Sequence, residues 1–283
     1  MAAVLRALEA LPGLEFLPAP QATLEQLGRV HDAEYWAWLL ALEPAPDSAA
    51  ERVALDPDTW LSSGSLDAAL RGSGAACFAV DQLFETRAKN AFCVTRPPGH
   101  HAESARAMGF CLLNHAAVAA RHAQAAHGAQ RVAILDFDVH HGNGTQAIFE
   151  ASPDVLYVSS HQHPLYPGTG LAEEQGCGNV LNLPLPPGAG GVEFRAAWSG
   201  KGLPAVEQFA PNLVIVSAGF DAHRRDPLGQ LELEDADYAW ITQELCTLAN
   251  AACAGRLVSI LEGGYDLEAL ASAALAHAGA LVA

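Results

Sequence analysis

The chain has 283 residues, of which 51% are hydrophobic and 17% are charged, so it can bury a large core within one domain. Its formal net charge of −17, with only 15 Lys and Arg, argues against a nucleic-acid partner, because phosphate contacts need a concentrated basic surface. No apolar run reaches the roughly 18–20 residues of a membrane span. Six cysteines without a CxxC pair indicate a reducing, cytoplasmic setting. We expect one soluble domain without a membrane partner.

The predicted elements alternate along the chain. The N-terminal segment MAAVLRALEALPGLEFL predicts a short helix rather than a signal peptide. Thr23 and Gln26 have the spacing of a capping box before an aromatic helix. Apolar runs predict strands covered on both faces at 91–95, 131–138, 155–160, 213–217 and 256–261. Helical patterns occupy 66–84, 114–127 and 234–254, and loops are expected at 43–48 and 183–191. This order predicts an α/β fold with three αβα layers and a central, mostly parallel sheet.

Side chains that can titrate or donate protons follow four of these strands where each strand ends. The segments are RPPGHH (96–101), DFDVHHGNG (136–144), SAGFDAHRRDPLG (217–229) and EGGY (262–265). The carboxyl ends of parallel strands meet at one edge of a sheet, which is where α/β folds place their active sites. The four segments therefore predict a shared functional crevice.

Asp136, Asp138 and His140 alternate along an extended segment and so point to the same side. Two carboxylates this close repel unless a cation lies between them, which indicates a metal. Asp138 and His140 would be ligands, with Asp136 orienting a neighbour. For the third ligand we favour Asp226 over Asp221. The alternative is that these residues only form a strand-end turn.

The histidine pair His100–His101 follows two prolines and a glycine, so a stiff loop would present it. Stiffness suits acid–base groups, although an isolated histidine pair is more often structural than catalytic. The segment Gly263–Gly264–Tyr265 would aim a phenol at the crevice as an oxyanion donor, although GGY alone is typical of a turn.

Together these segments resemble the zinc-dependent histone deacetylase family, which includes bacterial class II-like deacetylases and acetylpolyamine amidohydrolases on the arginase/deacetylase fold. The resemblance extends from about His31 to Leu267. The matching motifs are RPPGHHA (96–102), GFCLLNHAA (109–117), LDFDVHHGNGT (135–145), YPGTG (166–170), SAGFDAH with RDPLG (217–223 and 225–229) and LEGGY (261–265).

The resemblance implies a role for each matched residue. Asp138, His140 and Asp226 would hold Zn²⁺. His101 would be the general base, His100 its electrostatic partner and Tyr265 the carbonyl-polarising donor, with Asp136 and Asn143 behind the two histidines. The acyl-lysine tunnel would be lined by Gly109, Phe110, Tyr166 and Leu228. One K⁺ would bind near the zinc through Asp136, Asp138, His140, Ser159 and Ser160, and a second at Phe149, Ser152 and Val155.

The expected reaction is removal of acetyl or other acyl groups from acyl-lysine in proteins or peptides. Polyamine-selective members of the family tend to place an acidic gatekeeper residue near the pocket mouth, in one form two residues after the third zinc aspartate. This chain has Leu228 at that position, and its lack of charge favours acyl-lysine over an acetylated polyamine. Glu103, which closely follows the histidine pair, could still be the gatekeeper. An arginase-like two-metal ureohydrolase and a non-catalytic binding protein are the alternatives from other classes. A mixed oxygen and nitrogen site could also accept iron, cobalt or manganese. Residues 1–283 are expected to form a single catalytic domain that lacks the family's N-terminal strand and rim loop.

Overall fold

The computed structural model describes residues 1–46 and 52–283; the end of the expected loop 43–48 lies outside the described residues. A short antiparallel pair, β1 (Val53–Ala54) and β2 (Trp60–Leu61), precedes the main sheet. The main sheet has six parallel strands in the order β3-β8-β7-β4-β5-β6. These strands are β3 (Asn90–Cys93), β4 (Val132–Asp136), β5 (Val155–Gln162), β6 (Val180–Leu185), β7 (Leu213–Ala218) and β8 (Leu257–Leu261).

Helices connect the strands. They are α1 (Ala2–Leu8), α2 (Leu24–Leu27), α3 (Ala33–Leu42), α4 (Ser65–Phe84), α5 (His115–His127), α6 (Asn143–Phe149), α7 (Gly191–Ala197), α8 (Leu203–Phe209), α9 (Asp235–Cys253) and α10 (Leu267–Val282). A π-helical turn, Trp198–Gly202, joins α7 to α8. The capping box predicted at Thr23 is present, and Asn114 caps α5 by accepting from the backbone N–H of Ala117.

The sheet is covered on both faces, because consecutive side chains of a strand point to opposite sides. On one face Ile134, Ile215 and Val258 pack with α4 and α5. On the other face Leu135 and Val216 pack with α1, α9 and α10. The inner strands β4, β5, β7 and β8 therefore have two buried sides, as their apolar sequences predicted. The expected α/β fold with three layers is confirmed.

Several local predictions differ from the structure: β4 ends at Asp136 although the apolar run predicted a strand to residue 138, and helices α7 and α8 were not predicted. Residues 183–185, expected in a loop, belong to β6, which lies at the edge of the sheet. Pro184 suggested a loop, but a proline is tolerated in an edge strand, where no ladder partner needs its missing N–H. Helices α6 and α10 were not predicted either. In the described part of the chain, no helix combines the length and the apolar character needed to cross a membrane.

Candidate active site

The four polar segments meet at the carboxyl edge of the sheet, around a cavity of about 250 Å³. Its floor includes His100, His101, Asp138 and His140, as the strand-end argument predicted. The four expected tunnel residues, Gly109, Phe110, Tyr166 and Leu228, all line it. The sequence reasoning missed Asp58, Pro98 and Leu165, which also line this cavity.

The structure groups Asp138 and His140 with Asp221, not with Asp226. His140 Nδ1 lies 3.1 Å from Asp138 Oδ1 and 3.2 Å from Asp221 Oδ2. The choice of Asp226 as the third member of this cluster was wrong. Residue spacing could not decide between two aspartates in one loop, because the turn after β7 determines which of them faces β4.

The donor set of this cluster fits a divalent cation. Two carboxylates and one imidazole neutralise its charge and leave coordination positions open. Asp221 Oδ1 accepts from the backbone N–H of Val139 at 2.8 Å, whereas its buried Oδ2 has no hydrogen-bond partner. Gly219 and Gly263 pack so closely against these carboxylates that a Cβ at either position would clash with them. A buried carboxylate oxygen that lacks a hydrogen bond and lies beside an imidazole nitrogen is typical of a metal-ligand position.

The protonation of the cluster without a cation agrees with this assignment. Burial, together with the charge of Asp138, raises the pKa of Asp221 to about 7. Burial disfavours the charged form of His140, but the neighbouring carboxylates of Asp138 and Asp221 raise the pKa of this imidazole to about 10. The cluster thus holds protons that a cation would displace, so cation binding should release protons.

Asp226 has a different place in the site. Its Oδ2 accepts from the backbone N–H of Tyr265 at 2.7 Å, and its Oδ1 accepts from the N–H of Leu228 at 3.0 Å. Asp226 therefore fixes the backbone of the phenol donor and of a tunnel residue. We regard it as a positioning residue.

His100 is held by a carboxylate. Its Nδ1 lies 3.0 Å from Asp136 Oδ2, which also accepts from the hydroxyl of Tyr157, and its Nε2 lies 3.8 Å from Asp138 Oδ1. Burial lowers the pKa of His100, but the charges of Asp138 and Asp136 outweigh burial and raise it well above the usual histidine value. The expected contact of Asp136 with His100 is present.

His101 is held by a neutral amide. Asn143 donates from Nδ2 to Glu103 at 3.0 Å, so its Oδ1 accepts from His101 Nδ1–H at 2.9 Å. Neutral His101 therefore carries its proton on Nδ1 and presents a lone pair on Nε2. Burial and the neighbouring charges of His100 and His140 lower the pKa of His101 well below its usual value. The pKa values of the two histidines thus shift in opposite directions: His101 stays neutral, as a base must, and His100 stays protonated, as a cationic partner must.

Tyr265 lines the same cavity as the histidine pair. Burial and the charges of Asp221 and Asp138 raise the pKa of its phenol above the usual tyrosine value, so the hydroxyl stays protonated and can donate. Its ring lies edge-on to Phe110, with 6.0 Å between centroids. The tyrosine of the YPGTG motif, Tyr166, packs edge-on to His101 at 5.2 Å.

The first residue of the EGGY segment has a role near the site that the sequence did not indicate. Glu262 is a buried carboxylate whose Oε2 accepts from the backbone N–H of Gly99 at 2.6 Å and of His100 at 3.2 Å. Its Oε1 accepts from the hydroxyl of Ser217 at 3.0 Å. This side chain ties the loop that carries the histidine pair to the ends of β7 and β8, and burial raises its pKa to about 7.

The residues expected to bind K⁺ near the cluster lie at the end of β4 or directly after it (Asp136, Asp138 and His140) and on the adjacent strand β5 (Ser159 and Ser160). His161 Nε2 faces the carbonyl of Gly170 at 2.9 Å, so Nε2 carries the proton and Nδ1 must accept. The hydroxyl of Ser159 then donates to His161 Nδ1 at 2.9 Å and keeps its oxygen lone pairs for another partner. This arrangement fits a cation at Ser159.

The backbone carbonyls of the three residues expected to bind the second K⁺, Phe149, Ser152 and Val155, also converge. Their common partner is the side-chain amide of Asn179.

Another group of ligand-type side chains in the described residues, Asp81, His122 and His127, lies on α4 and α5. Both imidazole Nε2 atoms lie 2.7 Å from Asp81 Oδ1, and Arg29 Nη1 lies 3.1 Å from His122 Nδ1. A guanidinium can only donate, so His122 accepts at Nδ1 and donates from Nε2. Hydrogen bonds between the two imidazoles and Asp81 therefore account for this group.

The parallel sheet and the carboxylate–imidazole cluster at its edge define the class: an α/β protein with a candidate metal centre. Residues 1–281 match the family model described as the histone deacetylase domain. The crystal structure of the HDA15 HD domain superposes with a TM-score of 0.92 at 40% identity, covering 99% of this chain and 80% of that one. The chain belongs to the histone deacetylase family.

Relatives from plants and bacteria are similar over most of this chain. Histone deacetylase 14, chloroplastic, of Arabidopsis thaliana is 40% identical over 92% of this chain, which spans 64% of the length of that relative. The histone deacetylase-like amidohydrolase of Pseudomonas aeruginosa is 40% identical over 89% of this chain and 67% of its own length. The family resemblance of the motifs is confirmed.

Proposed function

We propose that this protein is a metal-dependent amidohydrolase that removes acetyl or other acyl groups from the side-chain amine of acyl-lysine. One observation carries the proposal. A base, a cationic imidazole and a phenol donor face the same cavity as a carboxylate–imidazole cluster with an unpaired oxygen. Amide hydrolysis needs each of these groups: a base for water, a donor for the carbonyl oxygen and a proton for the leaving amine.

The residues of the cluster, Asp138, His140 and Asp221, would hold the metal, and we propose Zn²⁺. When bound, this ion supplies Lewis-acid polarisation of a carbonyl oxygen and acidifies water. His101 Nε2 takes the proton from the attacking water and later gives it to the leaving amine. Tyr265 donates from its hydroxyl to the carbonyl oxygen as negative charge develops there. His100 stays protonated against Asp136 and stabilises that negative charge. K⁺ at the inner site, beside Ser159, belongs to the same proposal.

The lining of the cavity supports acyl-lysine as the substrate. Its walls carry apolar surface from Pro98, Phe110, Leu165 and Leu228, which suits the four methylenes of a lysine side chain. Leu228 is 43% exposed at this cavity and offers contact without charge. Glu103, considered as an acidic gatekeeper, instead accepts from Asn143 behind His101.

An acetylated polyamine is the second candidate, and Asp58 is the residue that bears on it. This carboxylate lines the same cavity, so it could pair with the distal ammonium of a polyamine. In an acyl-lysine peptide complex the same carboxylate could accept from a backbone N–H of the peptide. Asp58 thus fits both substrates, and the apolar Leu228 leads us to place acyl-lysine first.

The two alternatives from other classes have less support. An arginase-like two-metal centre needs more bridging carboxylates than the cluster supplies, since among the described residues only Asp138 and Asp221 flank His140 within ligand range. A binding protein without turnover would not need the opposite pKa shifts of His100 and His101. We also propose one catalytic domain in a reducing compartment such as the cytoplasm, because all six cysteines are free.

The test compares hydrolysis of an Nε-acetyl-lysine peptide with that of N-acetylputrescine by the zinc-loaded protein. The controls are a chelator and the variant His101→Ala. Chelator-sensitive, His101-dependent cleavage that favours the peptide is the expected result. A preference for N-acetylputrescine would reverse the order of the two substrates. Binding of one equivalent of metal without cleavage of either amide would refute the catalytic proposal.

A further inference from the structure

The side chain of Asn179 fills the ring of carbonyls at which the family resemblance expects a second K⁺. Asn179 directly precedes β6 and is 5% exposed. Its Nδ2 lies 2.8 Å from the carbonyl oxygen of Phe149, 3.0 Å from that of Ser152 and 2.7 Å from that of Val155. One nitrogen atom is therefore the common partner of all three oxygens.

The orientation of this amide follows from its neighbours. Carbonyl oxygens only accept, so the NH₂ end must face the ring. The other end, Oδ1, accepts from the backbone N–H of Cys177 at 3.2 Å. A flipped amide would place an oxygen against three oxygens and an NH₂ group against an N–H. Donors and acceptors are thus matched in only one orientation.

The ring cannot hold Asn179 and a cation together. Carbonyl rings bind K⁺ by replacing its hydration shell, which requires the ion to sit among the oxygens. Here Nδ2 lies within 3.0 Å of each oxygen, so the amide nitrogen occupies the place among the oxygens that the ion would need. The residues present at this place therefore do not fit the second K⁺.

We propose that Asn179 replaces the peripheral K⁺ of the family with a covalently attached donor, so that the segment 149–155 is anchored without an ion. This segment joins the end of α6 to the start of β5. Helix α6 begins at Asn143, the partner of His101, and β5 carries Ser159 beside the cluster. The anchor thus supports both elements independently of the K⁺ concentration. The proposal rests on hydrogen-bond geometry and not on the proposed catalytic function.

Rubidium in place of potassium tests the proposal directly. Crystals of the wild-type protein grown with RbCl should show no anomalous peak among the carbonyls of Phe149, Ser152 and Val155. A Rb⁺ peak within that ring would overturn the proposal. A peak beside Ser159 would concern only the inner site. Because no activity is measured, failure of the catalytic proposal would leave this result intact.

A matched pair of variants gives a second, independent test in solution. Asn179→Ala opens the ring, whereas Asn182→Ala removes another buried asparagine of the same region whose Nδ2 donates to Gln146 at 2.8 Å. Thermal unfolding is compared in KCl and in tetramethylammonium chloride. The stabilisation by K⁺ should grow by about 2–4 °C in Asn179→Ala. It should stay at the wild-type value in Asn182→Ala.

Equal K⁺ dependence in both variants would show that the opened ring has no affinity for K⁺ and would contradict the proposal. If Asn179→Ala does not fold, the anomalous diffraction of the wild-type protein decides.

Discussion

Replacing Asp221 by asparagine should abolish tight metal binding, whereas the same change at Asp226 should not. Asparagine has the shape of aspartate, so Asp221→Asn keeps the acceptor for the Val139 N–H and removes only the charge at Oδ2. The Coulomb attraction between a unit negative charge and a cation within about 3 Å is on the order of 5 kcal/mol per cation charge at an effective dielectric constant of about 20, and asparagine lacks this charge. Desolvation offsets part of this energy. We expect the Kd for Zn²⁺ to rise on the order of 10³-fold, or about 4 kcal/mol.

The assay is competition for Zn²⁺ between the metal-free protein and a chromophoric chelator at neutral pH, with Asp226→Asn as the control. Asp226→Asn should keep the Kd within about tenfold of wild type, because Asp226 bonds to the backbone of Tyr265 and Leu228 instead of belonging to the cluster. Its turnover should fall nonetheless, since the position of the phenol depends on that bond. Loss of metal in Asp226→Asn together with retention in Asp221→Asn would refute the grouping of Asp138, His140 and Asp221.

Two further predictions concern the phenol donor and the pH dependence of stability. Tyr265→Phe should lower kcat by about 10²–10³-fold with little change in KM, because its hydroxyl acts on charge that develops only in the transition state; steady-state kinetics that show a change confined to KM would contradict this role. His277 is buried between the hydroxyls of Thr242 and Ser259, at 2.6 and 2.8 Å, and burial lowers its pKa to about 3. The unfolded chain binds this proton near pH 6.5 and the folded chain only near pH 3, so stability should fall as the pH drops through this window, by at most about 1.4 kcal/mol per pH unit for this group. Urea unfolding between pH 7 and pH 4 measures the slope, and an unchanged slope in His277→Gln would assign the effect to other groups.

The fold was largely predictable because strand burial leaves a strong trace in the sequence. Residues 213–216 are apolar on both alternations and residues 257–261 are apolar except for Ser259, a pattern typical of strands covered on both sides. Caps such as Thr23 and Asn114 are equally local, since the cap and its partner lie three residues apart. The edge strand β6 escaped prediction because Pro184 weakens the pattern, and only its pairing with β5 makes it a strand.

The sequence by itself determined which chemical groups the protein brings to the carboxyl edge of its sheet, because these groups follow directly after strands whose positions are encoded locally. It also predicted that Asp138 and His140 lie together, although β4 ends at Asp136 and these two residues lie in the bend that follows it. Tertiary structure alone decided between Asp221 and Asp226, and only it showed Asn179 among the carbonyls of Phe149, Ser152 and Val155. Contacts of this kind join segments far apart in the chain, and their geometry depends on how turns and strands pack, which no local spacing encodes.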